Sequence, residues 1–173
     1  MPKLDIAVIG VGHLGSRHAK VYSQLNDRVN LVGVCDIDPE KTRAVGQEFH
    51  CQSFTDFRQL FGKIKAASIC VPTVLHHQIA REFLKNGIHV LVEKPITRTL
   101  KEADELIKLA ARNKLILQVG HVERFNSAFQ AIKALAKNPS FVECHRLNLF
   151  PNRSLDIGVV LDLMIHDIDI VLG

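Results

Sequence analysis

A chain of 173 residues is long enough for one ordinary domain, or for one domain and part of another. Apolar residues make up 47% and charged residues 23%, and no apolar run approaches the roughly 20 residues that span a bilayer, so a membrane protein is not expected. The net charge of +4 is small, and scattered lysines and arginines without aromatic residues between them argue against nucleic-acid binding. The N-terminus has no signal-peptide pattern, which predicts a cytoplasmic protein.

The first predicted strand, residues 4–9, runs into the glycine-rich sequence Gly10-Val-Gly-His-Leu-Gly15, and a helix is predicted from about residue 13 to 25. In this arrangement the first glycine permits a tight turn, the second lets a pyrophosphate approach the backbone, and the third lets the helix pack on the sheet. The N–H groups at the start of the helix attract phosphate. The expected cofactor contacts are Gly10, Gly12, His13, Leu14 and Gly15. The alternative is a glycine-rich turn that binds nothing.

The second predicted strand, residues 29–35, ends at Asp36, which lies 21 residues after Gly15. A carboxylate at this point of a dinucleotide-binding fold accepts hydrogen bonds from the adenosine ribose. It also repels the 2′-phosphate of NADP. The sequence therefore predicts NAD as the cofactor.

Strand and helix patterns continue to alternate as far as residue 119. Strands are predicted at 51–54, 67–71, 88–92 and 115–119, and helices at 39–49, 57–61, 74–86 and 100–112. Asp38 is predicted to cap one of these helices with Pro39 at its first position, and Asp56 to cap another. Such alternation is typical of a parallel sheet. We therefore predict an α/β fold, a Rossmann-type doubly wound parallel sheet of about six strands, over residues 1–120.

Past Gly120 the pattern changes. A helix is predicted at 126–136, a strand with one polar face at 141–149, and a helix at 159–172. The last helix is apolar on nearly its whole circumference, which predicts that it is buried. One strand and two helices do not close a second domain.

Lys94 follows the predicted strand 88–92, at the sheet edge where the cofactor would lie. Pro95 disfavours a helical conformation at Lys94, so the lysine side chain is able to project from this edge. The Lys94–Pro95 bond is expected to be trans, because the cis form is the minor one. A lysine here is suited to bind a substrate hydroxyl and ease its deprotonation. The alternative is a solvated surface lysine.

Three ionisable residues of the last helix, Asp162, His166 and Asp169, fall within about 60° of one another at about 100° per residue. His166 is the natural general acid or base, since its ordinary pKa lies near neutrality. Asp162 would bind a substrate hydroxyl or orient the histidine. A buried Asp–His pair with only a structural use, or a metal site, are the alternatives. No metal site is predicted, because a third clear ligand is missing.

Arg124, in the segment that follows the last predicted strand of the sheet, is suited to bind a cofactor phosphate or an anionic group of a substrate. Its alternative is an exposed arginine at the start of a helix. Thr73 and His76 follow the strand at 67–71, where loops face the cofactor, although His76 or His77 could simply lie on a helix surface. The four cysteines contain no CxxC pair and are expected to be reduced thiols.

Together these residues resemble the Gfo/Idh/MocA oxidoreductase family over essentially the whole chain. The features that carry the resemblance are the Gly10–Gly15 loop, Pro72-Thr73 with His76, Glu93-Lys94-Pro95, Gly120 with Arg124-Phe125, and Asp162-Leu-Met-Ile-His166. The resemblance implies that Lys94 and His166 are the catalytic pair and that Asp162, Arg124 and Arg153 bind substrate. It also places Thr73, His76, Glu93, Lys94 and Gln118 among the cofactor contacts.

The resemblance further implies an NAD-dependent enzyme that oxidises a secondary hydroxyl of a sugar. The motifs are similar to those of a subgroup acting on the 3-hydroxyl of UDP-N-acetylglucosamine-type sugars. Family members carry a second, α+β domain that binds substrate and through which they often form homo-oligomers. Residues 121–173 would be the incomplete start of that domain. The alternative function is a non-catalytic NAD-binding sensor or regulatory module.

Overall fold

The computed structural model describes residues 2–133, 139–146 and 158–172 of the chain. The chain divides into two compact units, Met1–Val119 and Gly120–Gly173. Arg153, one of the residues expected to bind substrate, lies outside the described residues.

The first unit contains a six-stranded sheet in the order β3-β2-β1-β4-β5-β6, in which every neighbouring pair is parallel. The strands are β1 (Leu4–Ile9), β2 (Val29–Cys35), β3 (Gln52–Phe54), β4 (Ala66–Ile69), β5 (His89–Val92) and β6 (Leu117–Val119). The strand order reverses between β1 and β4, and such a reversal is where a doubly wound sheet opens a crevice for a ligand. The predicted Rossmann-type sheet is confirmed.

Four α-helices connect these strands: α1 (His13–Gln24), α2 (Pro39–Glu48), α3 (His76–Lys85) and α4 (Leu100–Arg112). Short 3-10 turns lie at Phe57–Leu60 and Thr73–Leu75. Asp38 caps α2 by accepting hydrogen bonds from the N–H groups of Glu40 and Lys41, and Asp56 caps the turn after β3. Both predicted caps are confirmed. A carboxylate at these positions satisfies N–H groups that have no partner inside the helix.

The core lies on both faces of the sheet. Alternate residues of β1 point to opposite sides, so Ala7 and Ile9 join a cluster that includes Phe83 of α3 and Leu106 of α4. Val8 joins a second cluster, with Ala19 of α1 among its members. Burial on both faces explains why the strands are nearly continuous apolar runs. Helices packed on both faces hold the sheet, and with it the edge that carries the loops, in place.

The second unit contains a 3-10 turn at Val122–Phe125, α5 (Ser127–Lys133), a π-helical turn at Val160–Met164 and α6 (Ile165–Leu172). The helix predicted at 126–136 is confirmed for its described part. The strand predicted at 141–149 is not found in residues 141–146, which have no regular structure, and residues 147–149 lie outside the described part.

The helix predicted at 159–172 forms, but the prediction that it is buried is wrong. None of its residues is buried, and Val159 and Leu172 are 68% and 82% exposed. Among the described elements of this unit, the turn at Val122–Phe125 packs against α6. One short turn cannot cover an apolar helix whose hydrophobic side chains point in most directions.

Candidate active site

The glycine-rich loop leaves β1 and enters α1 with each glycine in a distinct environment. Gly10 has φ +84°, a conformation that favours glycine. A Cβ on Gly15 would lie 1.7 Å from the carbonyl oxygen of Gly10, so a side chain there would push α1 off the sheet. A Cβ on Gly12 would meet no atom within 4 Å. The loop is therefore packed at its two ends and open in the middle.

The start of α1 is suited to hold an anion. Gly12, His13 and Leu14 are exposed, and the first turn of α1 contains no acidic residue and no side-chain cap. The free N–H groups and the positive end of the helix dipole therefore point into open space beside Gly12. These features fit the pyrophosphate of a dinucleotide.

The Asp36 carboxylate lies beside this loop at the end of β2. Its Oδ2 accepts a hydrogen bond from the Val11 N–H at 2.8 Å, and its Oδ1 accepts one from the Asp38 N–H at 3.1 Å. Asp36 remains partly exposed. A ribose hydroxyl lying against the loop would meet a carboxylate that is already oriented.

The loop after β4 is linked to the segment after β5 by His76. The ring is 1% exposed, with Nδ1 2.8 Å from the Pro95 carbonyl oxygen and Nε2 2.9 Å from the Val71 carbonyl oxygen. The surface alternative for His76 is therefore wrong. Thr73 is also buried, at the start of the 3-10 turn that precedes α3. His76 thus contributes to this edge by joining its two loops.

Glu93 and Lys94 follow β5 at the same edge of the sheet. Strand pairing of β1 with β4 and of β4 with β5 places the ends of all three strands side by side. The Lys94–Pro95 bond is cis, so the expected trans form is wrong; the two forms differ little in free energy at X–Pro bonds, and the sequence alone does not decide between them. Gln118 lies on the neighbouring strand β6 and is exposed.

The Glu93 side chain is buried and turned toward α1. Its Oε1 lies 3.0 Å from Nε2 of His18, and its Oε2 accepts a hydrogen bond from the Lys94 N–H at 3.3 Å. Burial, the largest single influence, raises the pKa of Glu93, but the hydrogen bonds and charges of His18 and Lys94 together outweigh burial and lower that pKa. Sequence reasoning did not find His18, whose only local signal is its place on the inner side of α1, close to the buried Ala19.

The second unit brings Arg124 and Asp169 together. Nε and Nη2 of the arginine lie 2.7 and 2.5 Å from the two carboxylate oxygens. This paired hydrogen bond with Arg124 lowers the pKa of Asp169, although burial acts the other way. Asp162 lies in the π-helical turn, and His166 lies at the second position of α6; both are partly exposed. The guanidinium expected to bind an anion is thus held by a residue of the predicted polar stripe.

Among residues 2–133, 139–146 and 158–172, no three histidine, cysteine or acidic side chains are placed to hold a metal ion. Within the same ranges no helix is both long and apolar enough to cross a bilayer.

Known proteins with similar sequences span the whole described fold. UDP-N-acetylglucosamine 3-dehydrogenase from Acidithiobacillus ferrooxidans is 40% identical over 173 residues, covering 99% of this chain and 54% of that protein. A solved structure of that enzyme matches with a TM-score of 0.91 at 39% identity, covering 99% of this chain and 56% of the other. The chain therefore spans about half the length of this relative.

A more distant solved structure carries ligands. A scyllo-inositol dehydrogenase from Lactobacillus casei, with bound NAD(H) and scyllo-inositol, matches with a TM-score of 0.72 at 25% identity, covering 78% of this chain and 41% of that one. The model of the oxidoreductase family with an NAD-binding Rossmann fold, GFO_IDH_MocA, matches residues 4–121. Since this match covers well over half of the chain, the protein belongs to the Gfo/Idh/MocA oxidoreductase family, and its first unit is an NAD-binding Rossmann domain.

Proposed function

We propose that this chain is the NAD-binding part of a dehydrogenase that oxidises a secondary hydroxyl of a sugar, specifically of a nucleotide sugar such as UDP-N-acetylglucosamine. The observation that carries the proposal is the position of Lys94. It follows β5, beside the end of β4 and at the edge where β1 enters the glycine-rich loop. The 40% identity to UDP-N-acetylglucosamine 3-dehydrogenase supports the substrate class.

The cofactor would lie across the carboxyl ends of the strands, with its pyrophosphate over Gly12 and the start of α1 and its adenosine ribose against Asp36. When bound, NAD supplies the acceptor for the hydride that leaves the carbinol carbon. Thr73, Glu93 and Gln118 belong to the segments along this same edge.

The proton chemistry falls to side chains of the protein. The ammonium of Lys94 would donate a hydrogen bond to the reacting hydroxyl oxygen and favour its deprotonation. His166 would receive that proton while the carbon–oxygen single bond becomes a carbonyl. Asp162, Arg124 and Arg153 would bind other groups of the substrate. Arg124 would act there together with its partner Asp169.

Residues 121–173 would form the start of a substrate domain. The relatives matched over this chain are about twice as long, which leaves room for such a domain in them. We propose that a protein of that length forms a homo-oligomer.

The test measures NADH formation. The chain itself, and a chimera in which it replaces the matching half of the Acidithiobacillus ferrooxidans enzyme, are incubated with NAD and a panel of UDP-sugars, free sugars and inositols. We expect absorbance at the NADH wavelength to rise for the chimera with a UDP-N-acetyl sugar, and not for its Lys94→Ala variant. A chimera that binds NAD but oxidises nothing in the panel would contradict the proposal and favour the sensor alternative.

A further inference from the structure

His18 connects the helix that follows the glycine-rich loop to the segment that carries Lys94. Its Nε2 lies 3.0 Å from Oε1 of Glu93, and its Nδ1 lies 2.7 Å from the Ser68 hydroxyl. The second Glu93 oxygen accepts the Lys94 N–H. One carboxylate therefore joins a side chain of α1 to the peptide of the lysine.

This connection is buried between α1 and the sheet. The side chains of His18 and Glu93 are 17% and 8% exposed, and Ser68 is fully buried. A carboxylate removed from water in this way is destabilising unless a charged or strongly hydrogen-bonding partner faces it. His18 is such a partner, and it approaches from a different element of the fold.

The groups around the pair favour its ionic form. Tyr22 of α1, Cys70 after β4 and Lys94 after β5 are the titratable neighbours. Burial, the largest single influence, lowers the pKa of His18, but interactions with Cys70 and Glu93 together outweigh burial and raise that pKa to about 10. With the pKa of Glu93 held low, an imidazolium faces a carboxylate at neutral pH.

We propose that His18 is a positioning residue of the lysine site, which holds the Glu93 carboxylate and through it the peptide that carries Lys94. The value of this positioning for catalysis rests on the proposed function, whereas the contact itself does not. On the C-terminal side of Lys94, His76 Nδ1 lies 2.8 Å from the Pro95 carbonyl oxygen. The buried carboxylate of Glu93 holds the Lys94 N–H, and His76 holds the carbonyl of the next residue.

Hydrogen exchange of the Lys94 amide tests the contact directly. The rate is measured by NMR on the 173-residue chain for wild type, His18→Ala and His18→Gln. His77→Ala is the matched control, since its Nε2 also lies 3.0 Å from a glutamate oxygen, that of Glu105, but at the surface.

We expect the Lys94 amide to exchange about tenfold or more faster in His18→Ala, as for the loss of a charged hydrogen bond. The control should leave the rate unchanged. His18→Gln should restore part of the protection, because its amide is able to donate to Glu93. An unchanged Lys94 rate in His18→Ala would overturn the proposal.

A second measurement decides the matter where His18→Ala does not fold. The ring carbon resonances of His18 are followed against pH in wild type and in Glu93→Gln. The proposal is supported if the His18 ring of wild type is still protonated at pH 8 and the ring of Glu93→Gln loses its proton at a lower pH than that of wild type. A His18 pKa that is the same in wild type and in Glu93→Gln would overturn it.

Turnover of the chimera separates this inference from the proposed function. In an active chimera, His18→Gln should lower kcat while NAD affinity stays within about threefold of wild type, as expected for a residue that orders the reacting geometry. Unchanged kcat across the pH range would overturn the positioning role. If the chimera is inactive but the Lys94 amide still exchanges faster in His18→Ala, the proposed function is overturned and the contact of His18 with the lysine segment is supported.

Discussion

The N–H of Val11, inside the glycine-rich loop, donates a hydrogen bond of 2.8 Å to Oδ2 of Asp36 at the end of β2. The loop that we propose to face the pyrophosphate and the acid that we propose to face the ribose are therefore one hydrogen-bonded structure. The Asp38 N–H holds the other oxygen at 3.1 Å, so the carboxylate cannot turn away without losing two hydrogen bonds. If Asp36 binds the adenosine ribose as we propose, a fixed negative charge lies where the 2′-phosphate of NADP would have to lie.

We predict that the chain binds NAD at least about tenfold more tightly than NADP, because placing a phosphate against a held carboxylate is unfavourable by more than 1 kcal/mol. Asp36→Ala should narrow this gap. Titrations of both cofactors into wild type and variant measure it. Asp27→Ala, an exposed acid before β2, is the control. Equal or tighter binding of NADP by wild type would contradict the prediction.

Alanine substitutions at Gly12 and Gly15 should affect different properties, cofactor binding at Gly12 and stability of the fold at Gly15. Gly15→Ala places a Cβ 1.7 Å from a backbone oxygen and should destabilise the fold by about 1–3 kcal/mol or more. Gly12→Ala meets no protein atom and should keep its melting temperature, yet weaken NAD binding because its methyl group occupies the open side of the loop. Thermal unfolding and NAD titration of both variants check this. Normal NAD affinity in Gly12→Ala would show that this side does not face the cofactor.

The fold of the first unit was predictable because its signals are local. A strand, three spaced glycines and a helix lie within the first 24 residues, and Asp36 follows the very next strand. The His18–Glu93 pair gave no such signal. Its members belong to α1 and to the segment after β5, and only the folded sheet brings them together.

The last helix shows where periodicity misleads. Its apolar residues predict a helix that is buried by neighbouring elements, but the described part of the second unit buries none of these side chains. The alternating residues 141–146 likewise predicted a strand, but no strand is present among the described residues of this unit to pair with them. A strand in isolation leaves its backbone groups without partners and is not stable.

Arg124 should control the charge state of Asp169. Removing the guanidinium in Arg124→Ala removes two hydrogen bonds to the ionised carboxylate, so the pKa of Asp169 should rise toward its ordinary value. The stabilisation by this pair is present above the ordinary aspartate pKa and is lost as pH falls through the lowered one. Carbon NMR titration of Asp169 measures the change. Arg146→Ala, which removes the partner of Asp167, should leave the pKa of Asp169 in place.

Lys94→Ala and His166→Ala should each lower kcat of the active chimera by about 10²–10⁴-fold, the range expected for groups that transfer or polarise a proton. NAD affinity should stay nearly unchanged, since the pyrophosphate and ribose contacts that we propose are at Gly12 and Asp36. Lys85→Ala on α3 serves as the control for loss of a lysine charge. Steady-state kinetics and NAD titrations test this. Near-normal rates in both variants would show that the pair is not catalytic.

The final prediction concerns stability against pH. The pKa of His18 is raised from 6.5 to about 10 in the folded chain. The stabilisation of the folded state by protonated His18 is therefore complete below pH 6.5 and is lost as pH rises through 10. Glu93 must also be ionised, so the contribution is lost again as pH falls through its lowered pKa. The difference in unfolding free energy between wild type and His18→Gln should therefore be greatest near pH 6 and decline toward pH 10.

Urea denaturation at pH 6, 8 and 10 measures this difference. The decline cannot exceed about 1.4 kcal/mol per pH unit, the limit for one proton. His77→Gln removes a histidine–glutamate pair of the same length from the surface, where solvent and salt screen it, and should change stability less. A His18→Gln difference that stays constant from pH 6 to 10 would mean that His18 does not hold Glu93 as an ion pair, and that the lysine segment is fixed by its other contacts alone.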